Sequence, residues 1–112
     1  MVLLRTRIRV EPTLRTKVIR SLSRLLGPVR ASSGCLGCNL YVDIEDDRLL
    51  MFVEEWVDEE SLVAHLQADN ARVLLSALDC ASDPPQVRLD TVVDTKGIEF
   101  IGTCRDAYSP EH

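Results

Sequence analysis

The stretch "RLLMFVEEWVDEESLVAHL", residues 48–66, leads from a predicted strand into a predicted helix and contains the only tryptophan of the chain. Residues 48–56 are apolar on both faces of the strand. One face carries Leu49, Met51 and Val53, and the other carries Leu50, Phe52 and Trp56. Asp58 then suits the N-cap of a helix that starts with two acidic residues. This segment therefore predicts a strand that is covered on both sides and packs under a helix.

The hydrophobic pattern on either side of this stretch predicts three further strands and two further helical segments. Alternation of period two predicts strands at residues 2–10, 35–44 and 87–94. Helical spacing runs from Leu14 to Val29, where Gly27 and Pro28 should kink or interrupt the helix. A last helical piece should run from a cap at Asp69 to about Leu78. The order strand, helix, strand, strand, helix, strand predicts an α+β, ferredoxin-like βαββαβ fold.

The segment "GIEFIGTC", residues 97–104, is too apolar for a loose tail, and its alternation predicts an extra C-terminal strand. This strand should join a sheet edge at a dimer interface, most simply the partner's edge, and help to close the barrel. The alternative is a hairpin that folds back along its own fourth strand. We expect one domain over residues 1–104 and a tail over residues 105–112.

Two helices can cover only one face of the predicted sheet, whereas the third strand is apolar on both. A second copy of the chain, packed sheet to sheet, is the simplest cover for the other face. The sequence therefore predicts a homodimer and a dimeric α+β barrel.

The net charge of −5 disfavours nucleic acid as a partner. Residues 1–30 are basic and residues 43–60 are acidic, so we expect these two parts to lie side by side. The first and third strands should be neighbours, which places Arg5, Arg7 and Arg9 near Glu54 and Glu55. No apolar run approaches the length of a membrane span, and we expect a cytoplasmic protein without a membrane partner.

The chain has four cysteines, of which Cys35 and Cys38 form a CxxC pair. A redox pair usually opens a helix after a strand, whereas this one leads into a strand. A zinc site would need two further ligands, and Cys80 and Cys104 stand alone. Four reduced thiols without a metal are expected, with a disulfide or a metal site as the alternatives.

The segments "GCLGCNLY" and "FVEEWVDEESLVAHL" together resemble the antibiotic biosynthesis monooxygenase family, whose members form dimeric α+β barrels. The resemblance covers about residues 2–94. It implies a protein that oxidises a small aromatic molecule with O₂ and without a cofactor, although the superfamily also contains haem degraders, isomerases and decarboxylases.

Several family positions differ in this chain. Quinone-forming members carry Asn, Tyr and Arg where this chain has Phe52, Leu62 and Ser76, so only Trp56 carries over from that site. Haem degraders carry a Trp at the position of His65 and an iron-binding His at that of Leu75. The resemblance therefore disfavours haem ligation of that kind.

The candidate catalytic residues are Glu54, Trp56 and His65. Glu54 shares the parity of Phe52 and Trp56, so its carboxylate should be buried, and a buried carboxylate needs a partner such as His65 or an arginine. A buried Glu–His pair suits general acid–base chemistry. A structural role in the core is the alternative for Trp56 and His65.

Four residues are expected to bind substrate: Tyr41, Asn39, Phe52 and Arg7. Tyr41 and Asn39 share a strand face and suit a phenol or a carbonyl, with exposed or interface positions as the alternative. Three functions stay open: a cofactor-independent quinol or phenol monooxygenase, a non-oxidative isomerase or decarboxylase, and a non-catalytic dimeric binding protein.

Overall fold

The computed structural model describes residues 1–107, which form one antiparallel sheet and four helices, three of which pack on one face of the sheet. The strands are β1 (Val2–Arg9), β2 (Cys35–Val42), β3 (Leu49–Trp56) and β4 (Gln86–Thr91). The helices are α1 (Arg15–Arg30), α2 (Glu59–Leu66), α3 (Ala71–Leu78) and α4 (Ile98–Ala107). A 3₁₀ turn over Pro12–Leu14 precedes α1. The tail predicted at residues 105–112 begins inside α4, and residues 108–112 lie outside the described part.

The strands lie in the order β2-β3-β1-β4, and each neighbouring pair is antiparallel. β1 and β3 are the central strands, as the sequence predicts. This order confirms the α+β, ferredoxin-like fold.

The core lies between the sheet and its helices. On the two central strands the buried residues all have one parity, so β1 and β3 each turn one face to the core. On β3 this is the face that carries Phe52. The largest side chains there are Trp56, Phe52, Leu22, Leu50 and Leu62, all at most 2% exposed. The opposite face of the sheet, hereafter the outer face, carries the half-buried row of Leu49, Met51 and Val53.

The expectation that the β1 arginines lie near Glu54 is wrong. Strand register pairs Leu4 with Glu54 and Leu3 with Glu55, whereas Arg5 lies opposite Val53. The arginines therefore lie on the outer face, because side chains alternate along a strand and Glu54 points inward. Arg5 instead forms an ion pair with Asp90 at 2.6 Å.

One arginine of the basic segment, residues 1–30, does contact an acidic residue of the segment 43–60 on the outer face. Arg9 contacts Asp46, in the acidic segment, at 2.9 Å. It also contacts Asp83 at 2.6 Å. The acidic residues of segment 43–60 therefore neutralise only part of the positive charge of residues 1–30.

α1 continues through Gly27 and Pro28 to Arg30, so the predicted interruption does not occur. Proline removes one N–H and clashes with the carbonyl four residues earlier. Here Pro28 lies in the last turn, and that turn still closes because the Ala31 N–H donates to the Gly27 carbonyl at 3.1 Å.

The starts of α2 and α3 differ in their caps. The Asp58 carboxylate accepts from the Ser61 N–H at 2.8 Å, so the predicted cap of α2 is confirmed. The cap predicted at Asp69 is wrong, since α3 begins after Asn70 and has no side-chain cap hydrogen bond. α2 buries Leu62 together with His65 and leaves Leu66 exposed.

The prediction of an extra C-terminal strand is wrong, because residues 98–107 form helix α4. Glu99 Oε1 accepts from the Gly97 N–H at 3.2 Å, and the Thr103 hydroxyl donates to the Glu99 carbonyl at 3.0 Å. Phe100, Cys104 and Ala107 recur at helical spacing. The strand prediction was based on Ile98 and Phe100 on one face and Ile101 on the other, and so short an apolar segment satisfies both the strand and the helix period. No residue of α4 is buried in this chain.

No helix within residues 1–107 is both long and apolar enough to cross a membrane.

Candidate functional site

Glu54, Trp56 and His65 meet in the core between β3 and α2. Glu54 and Trp56 point inward from alternate positions of β3, and His65 reaches them from the last turn of α2. Glu54 and Trp56 are fully buried, and His65 is 6% exposed. The structure therefore brings together the three predicted catalytic residues, which we call the Glu–Trp–His cluster.

The cluster is held by three direct contacts. His65 Nε2 lies 3.1 Å from Glu54 Oε1. The Trp56 indole N–H donates to the same oxygen at 3.4 Å. The indole and imidazole rings stack, with centroids 4.8 Å apart and 27° between their planes. Glu54 Oε1 thus faces two ring nitrogens, and the stacking fixes the orientation of the imidazole.

Burial shifts both titratable groups of the cluster toward their neutral forms. It raises the pKa of Glu54 to about 7, although the hydrogen bond from Trp56 by itself lowers this pKa. It lowers the pKa of His65 below its usual 6.5. Near neutral pH the Glu54–His65 pair can therefore gain or lose a proton, which general acid–base catalysis requires.

Two polar atoms of the cluster are buried without a hydrogen-bond partner in the described part of the chain: Glu54 Oε2 and His65 Nδ1. A buried polar atom without a partner costs about 1 to 3 kcal/mol, so such atoms are uncommon. Both belong to the Glu54–His65 pair itself. A hydroxyl or carbonyl group of a ligand is a suitable partner for them.

A bulge in β2 places a thiol next to this pair. The register shifts between Cys35 and Gly37, so Cys35 lies opposite Trp56 and Cys38 lies opposite Glu54. The extra residue, Leu36, is 56% exposed, although the alternation of residues predicted it on the same face as Cys38. Burial and the neighbouring Glu54 raise the pKa of Cys38 to about 12, so it stays a thiol. The role of Cys38 as a neighbour of Glu54 was missed, and Gly37 inside the strand was the available signal.

A cavity of about 330 Å³ lies at the edge of the sheet beside this thiol, and we call it the edge cavity. Its lining residues are Arg30, Cys35, Leu36, Gly37, Cys38 and Asn39. Arg30 donates to the Cys38 carbonyl at 2.9 Å and to Asn39 Oδ1 at 3.3 Å. Cys38 lines the edge cavity and lies opposite Glu54 in the strand pairing, so it is a neighbour of both.

The four predicted substrate-binding residues do not form one site. Phe52 is buried in the core, two positions before Glu54 on the same face. Asn39 lines the edge cavity. Tyr41 and Arg7 line a different cavity of about 310 Å³ on the outer face. The sheet separates these two residues from the Glu–Trp–His cluster, because β-strand residues of opposite parity point to opposite faces.

The outer-face cavity is called the outer trough below. It is mostly apolar, and its lining includes Arg7, Tyr41, Asp43, Leu49, Met51 and Val53. Tyr41 is 54% exposed, and among residues 1–107 the Arg7 guanidinium has only a long hydrogen bond, 3.5 Å, to Gln86 Oε1. An apolar surface of this kind suits an interface better than an isolated solvent face.

No group of three or more His, Cys, Asp or Glu within residues 1–107 is arranged to hold a metal ion. The absence of a metal and of a cofactor stays a prediction.

Solved structures with the same fold include two bacterial proteins and one monooxygenase. A crystal structure described as an antibiotic biosynthesis monooxygenase superposes with a TM-score of 0.76 at 23% identity, over 84% of this chain and 100% of that chain. Rv0793 from Mycobacterium tuberculosis superposes with a TM-score of 0.77 at 20% identity, over 86% of this chain and 98% of that chain. PA3566 from Pseudomonas aeruginosa superposes with a TM-score of 0.73 at 22% identity, over 83% of this chain and 94% of that chain. At these identities the likeness shows the fold alone.

Among curated proteins, no sequence matches this chain significantly. The family model described as "Antibiotic biosynthesis monooxygenase" matches residues 1–74. The matched residues contain the whole Glu–Trp–His cluster, with β1, β2, β3, α1 and α2. The chain therefore belongs to the antibiotic biosynthesis monooxygenase family.

Proposed function

We propose that this protein is a cofactor-independent monooxygenase that oxidises a small aromatic phenol or quinol with O₂. The observation that carries the proposal is the buried Glu54–His65 pair. His65 Nε2 and Glu54 Oε1 are in contact, and each residue has one further polar atom without a partner in the described part of the chain. A base at this position removes the hydroxyl proton of the substrate, and a phenolate is electron-rich enough to react with O₂ directly.

The proton transfer follows from the geometry of the pair. Glu54 Oε2 is the free basic atom, and the pKa of about 7 means that carboxylate and carboxylic acid are both present near neutral pH. Oε1 of the same carboxylate stays held by Trp56 and His65. Glu54 therefore accepts the phenolic proton, and His65 stabilises whichever protonation state results.

The overall reaction balances without an added reductant. A phenol and one O₂ give a quinone and one water, with one oxygen atom kept as the new carbonyl and the other released in the water. The substrate supplies all four electrons, and its two lost hydrogens appear in the water. The protein's part is to ionise the phenol, hold it and return the proton.

The edge cavity is the proposed approach to the pair. Its volume of about 330 Å³ suits a ligand of one or two rings, and Cys38 connects it with Glu54 across the strands. Arg30 and Asn39 at its wall supply polar groups for a hydroxyl or carbonyl. Because the Glu–Trp–His cluster is buried, substrate entry requires Cys38 or α2 to move.

We also propose that the protein acts as a homodimer that covers the outer trough. Light scattering at micromolar concentration should give about twice the 12.6 kDa mass of the chain. A monomer at every accessible concentration would contradict this part of the proposal.

The test of the reaction is oxygen uptake on a panel of naphthols and quinols, with the quinone followed by its absorbance. We expect one O₂ consumed for each quinone formed, with no added metal or flavin, and no uptake on the methyl ethers of the same compounds. Turnover that requires an added cofactor, or none on any substrate that binds, would contradict the proposal.

A non-oxidative isomerase or decarboxylase is the second candidate. It is favoured by one observation, the raised pKa of Glu54, which keeps a carboxylic acid available as a proton donor at neutral pH. Conversion of a bound ketone or carboxylate under argon would separate this function from the oxidative one. Binding without any conversion would instead indicate a non-catalytic dimeric binding protein.

A further inference from the structure

The guanidinium of Arg30 is fixed at the wall of the edge cavity without an acidic partner. Its Nε donates to the Cys38 carbonyl at 2.9 Å, and its Nη2 donates to Asn39 Oδ1 at 3.3 Å. The outer-face arginines Arg5 and Arg9, by contrast, each form an ion pair with an aspartate. Arg30 forms no ion pair among residues 1–107, and its third nitrogen, Nη1, donates to no group there. The edge cavity therefore has a positive charge that is held in place but not neutralised.

The side-chain amide of Asn39 supplies a second donor beside this guanidinium. An arginine only donates hydrogen bonds, so the amide oxygen of Asn39 faces Arg30 and its Nδ2 is directed away from it. Nδ2 donates to no residue in the described part of the chain. Arg30 Nη1 and Asn39 Nδ2 are thus free donors on two groups in direct contact. A carboxylate, with two acceptor oxygens and a negative charge, suits such a pair.

The charge of the cavity wall favours an anion over a neutral group. Within residues 1–107, Arg30 is the only charged residue that lines the edge cavity, and Glu55, which lies opposite Gly37, does not line it. A hydrogen bond between a guanidinium and a carboxylate is roughly twice as strong as one between neutral groups. Because two hydrogen bonds already hold the Arg30 side chain, it loses less conformational entropy on binding than a free surface arginine does.

The rest of the cavity wall suits an aromatic ring. Leu36 is the residue that bulges out of β2, and its exposed side chain offers an apolar surface. Gly37 has no side chain, so a flat ring can approach the strand backbone closely. Cys38 lies next along the strand and is opposite Glu54. A ring with its acidic end at Arg30 would therefore direct its other end past Cys38 toward Glu54.

We propose that the substrate is a phenol that also carries a carboxylate, and that Arg30 and Asn39 bind this carboxylate in the edge cavity. The two residues then determine substrate specificity, while Glu54 acts on the hydroxyl group. The inference rests on the proposed function, because it takes the edge cavity as the approach to Glu54. It narrows the substrate from any small phenol to a hydroxylated aromatic acid.

The test compares the binding of three ligands by isothermal titration calorimetry under argon, so that no O₂ is consumed. They are a hydroxynaphthoate with its two groups on opposite rings, the methyl ester of the same compound, and a naphthol without the acid. We expect the acid to bind at least tenfold more tightly than the ester, which has nearly the same shape but no charge. Added salt should weaken only the binding of the acid. Equal affinities for acid and ester would overturn the proposal.

A pair of arginine variants separates the site from the general charge of the protein. Arg30→Gln should reduce the affinity for the acid at least tenfold more than the affinity for the ester. Arg24→Gln, on the exposed side of the same helix, removes the same charge from the chain and should leave both affinities within twofold. If the two variants weaken the binding of the acid equally, Arg30 does not bind the carboxylate.

Asn39→Asp is an independent check, because the carboxylate introduced there would occupy the Arg30 guanidinium itself. The affinity for the hydroxynaphthoate should again fall at least tenfold relative to the ester, and thermal unfolding should show that the variant is folded. An unchanged preference for the acid in folded Asn39→Asp would contradict the proposed site.

Oxygen uptake distinguishes this inference from the reaction itself. Binding that prefers the acid through Arg30, without O₂ uptake, would support the carboxylate site and contradict the monooxygenase. Uptake on neutral naphthols that equals uptake on the acid, with kcat/KM unchanged in Arg30→Gln, would support the monooxygenase and contradict the carboxylate site. Failure of all three ligands to bind would contradict the inference.

Discussion

His65 Nε2 lies 3.1 Å from Glu54 Oε1, while Glu54 Oε2 and His65 Nδ1 have no partner in the described chain. One atom of each residue is thus engaged within the pair, and one is free for a ligand. A histidine that served only the core would be expected to have both ring nitrogens satisfied. This relationship is why the pair is the centre of the proposed function and of the predictions that follow.

The first prediction concerns catalysis. Glu54→Gln keeps the size of the side chain but removes the base, so kcat/KM for the best substrate should fall by about 10² to 10⁴. Glu55→Gln changes the next residue, which points to the outer face, and should leave kcat/KM within about twofold. If both variants lose activity equally, or Glu54→Gln keeps it, Glu54 is not the base.

The second prediction concerns stability as a function of pH. The folded pKa of Glu54, about 7, lies above its ordinary 4.5, so the folded state keeps a proton that the unfolded state has released between these values. The free energy of unfolding should therefore fall as pH rises from about 4.5 to 7 and then level off. The shift corresponds to about 3 kcal/mol.

Urea unfolding of the wild type and Glu54→Gln across this pH range isolates that contribution. The difference between their free energies of unfolding should change across the window and stay constant above it. Glu55→Gln leaves Glu54 in place and should therefore keep the fall in the free energy of unfolding between about pH 4.5 and 7. A difference that is constant with pH would mean that Glu54 is not held in its neutral form by burial.

The third prediction uses the fluorescence of Trp56, which is the only tryptophan in the chain. A protonated imidazole in contact with an indole quenches its emission, and the two rings here are stacked at 4.8 Å. Because burial lowers the pKa of His65, quenching should set in with a midpoint below pH 6.5 as the pH falls. His65→Gln should abolish this transition, and a midpoint above 6.5 would contradict the burial argument.

The fourth prediction compares two glycines. Gly34 has a φ of +83°, and a Cβ there would lie 2.3 Å from Ser61 Oγ, so Gly34→Ala should destabilise the fold by more than about 1 kcal/mol. Gly27 lies inside α1 with nothing within 4 Å of an added Cβ, so Gly27→Ala should stabilise it by about 0.5 to 1 kcal/mol. Thermal unfolding should shift in opposite directions for the two variants. Equal shifts would show that the backbone of Gly34 is not under this constraint.

The sequence by itself determined the elements from β1 to β4 and their order, because hydrophobic spacing is a local property. The strand "RLLMFVEEW", the cap at Asp58 and the alternation of β1 were sufficient for the ferredoxin-like order. They were also sufficient to bury Glu54 beside Trp56, since side chains two apart on a strand share a face. His65 was predicted as a partner because a buried carboxylate needs one.

Only the tertiary structure decided which groups face each other across the sheet. The register pairs Leu4 with Glu54, so Glu54 shares the inner face with Leu4 and the β1 arginines lie on the outer face. The bulge at Leu36 brought Cys38 next to Glu54, and no local rule fixes which residue of a strand is left unpaired. The pKa of Glu54 depends on burial by residues distant in sequence, so it too was beyond the reach of sequence patterns.

The C-terminal segment shows the limit most clearly. Residues 97–104 are compatible with a strand and with a helix, because a short apolar segment satisfies both periods. A strand there would need a neighbouring strand to pair with, whereas a helix satisfies its own backbone hydrogen bonds. The structure contains the helix, and the sequence determined only that the segment has an apolar side that requires cover.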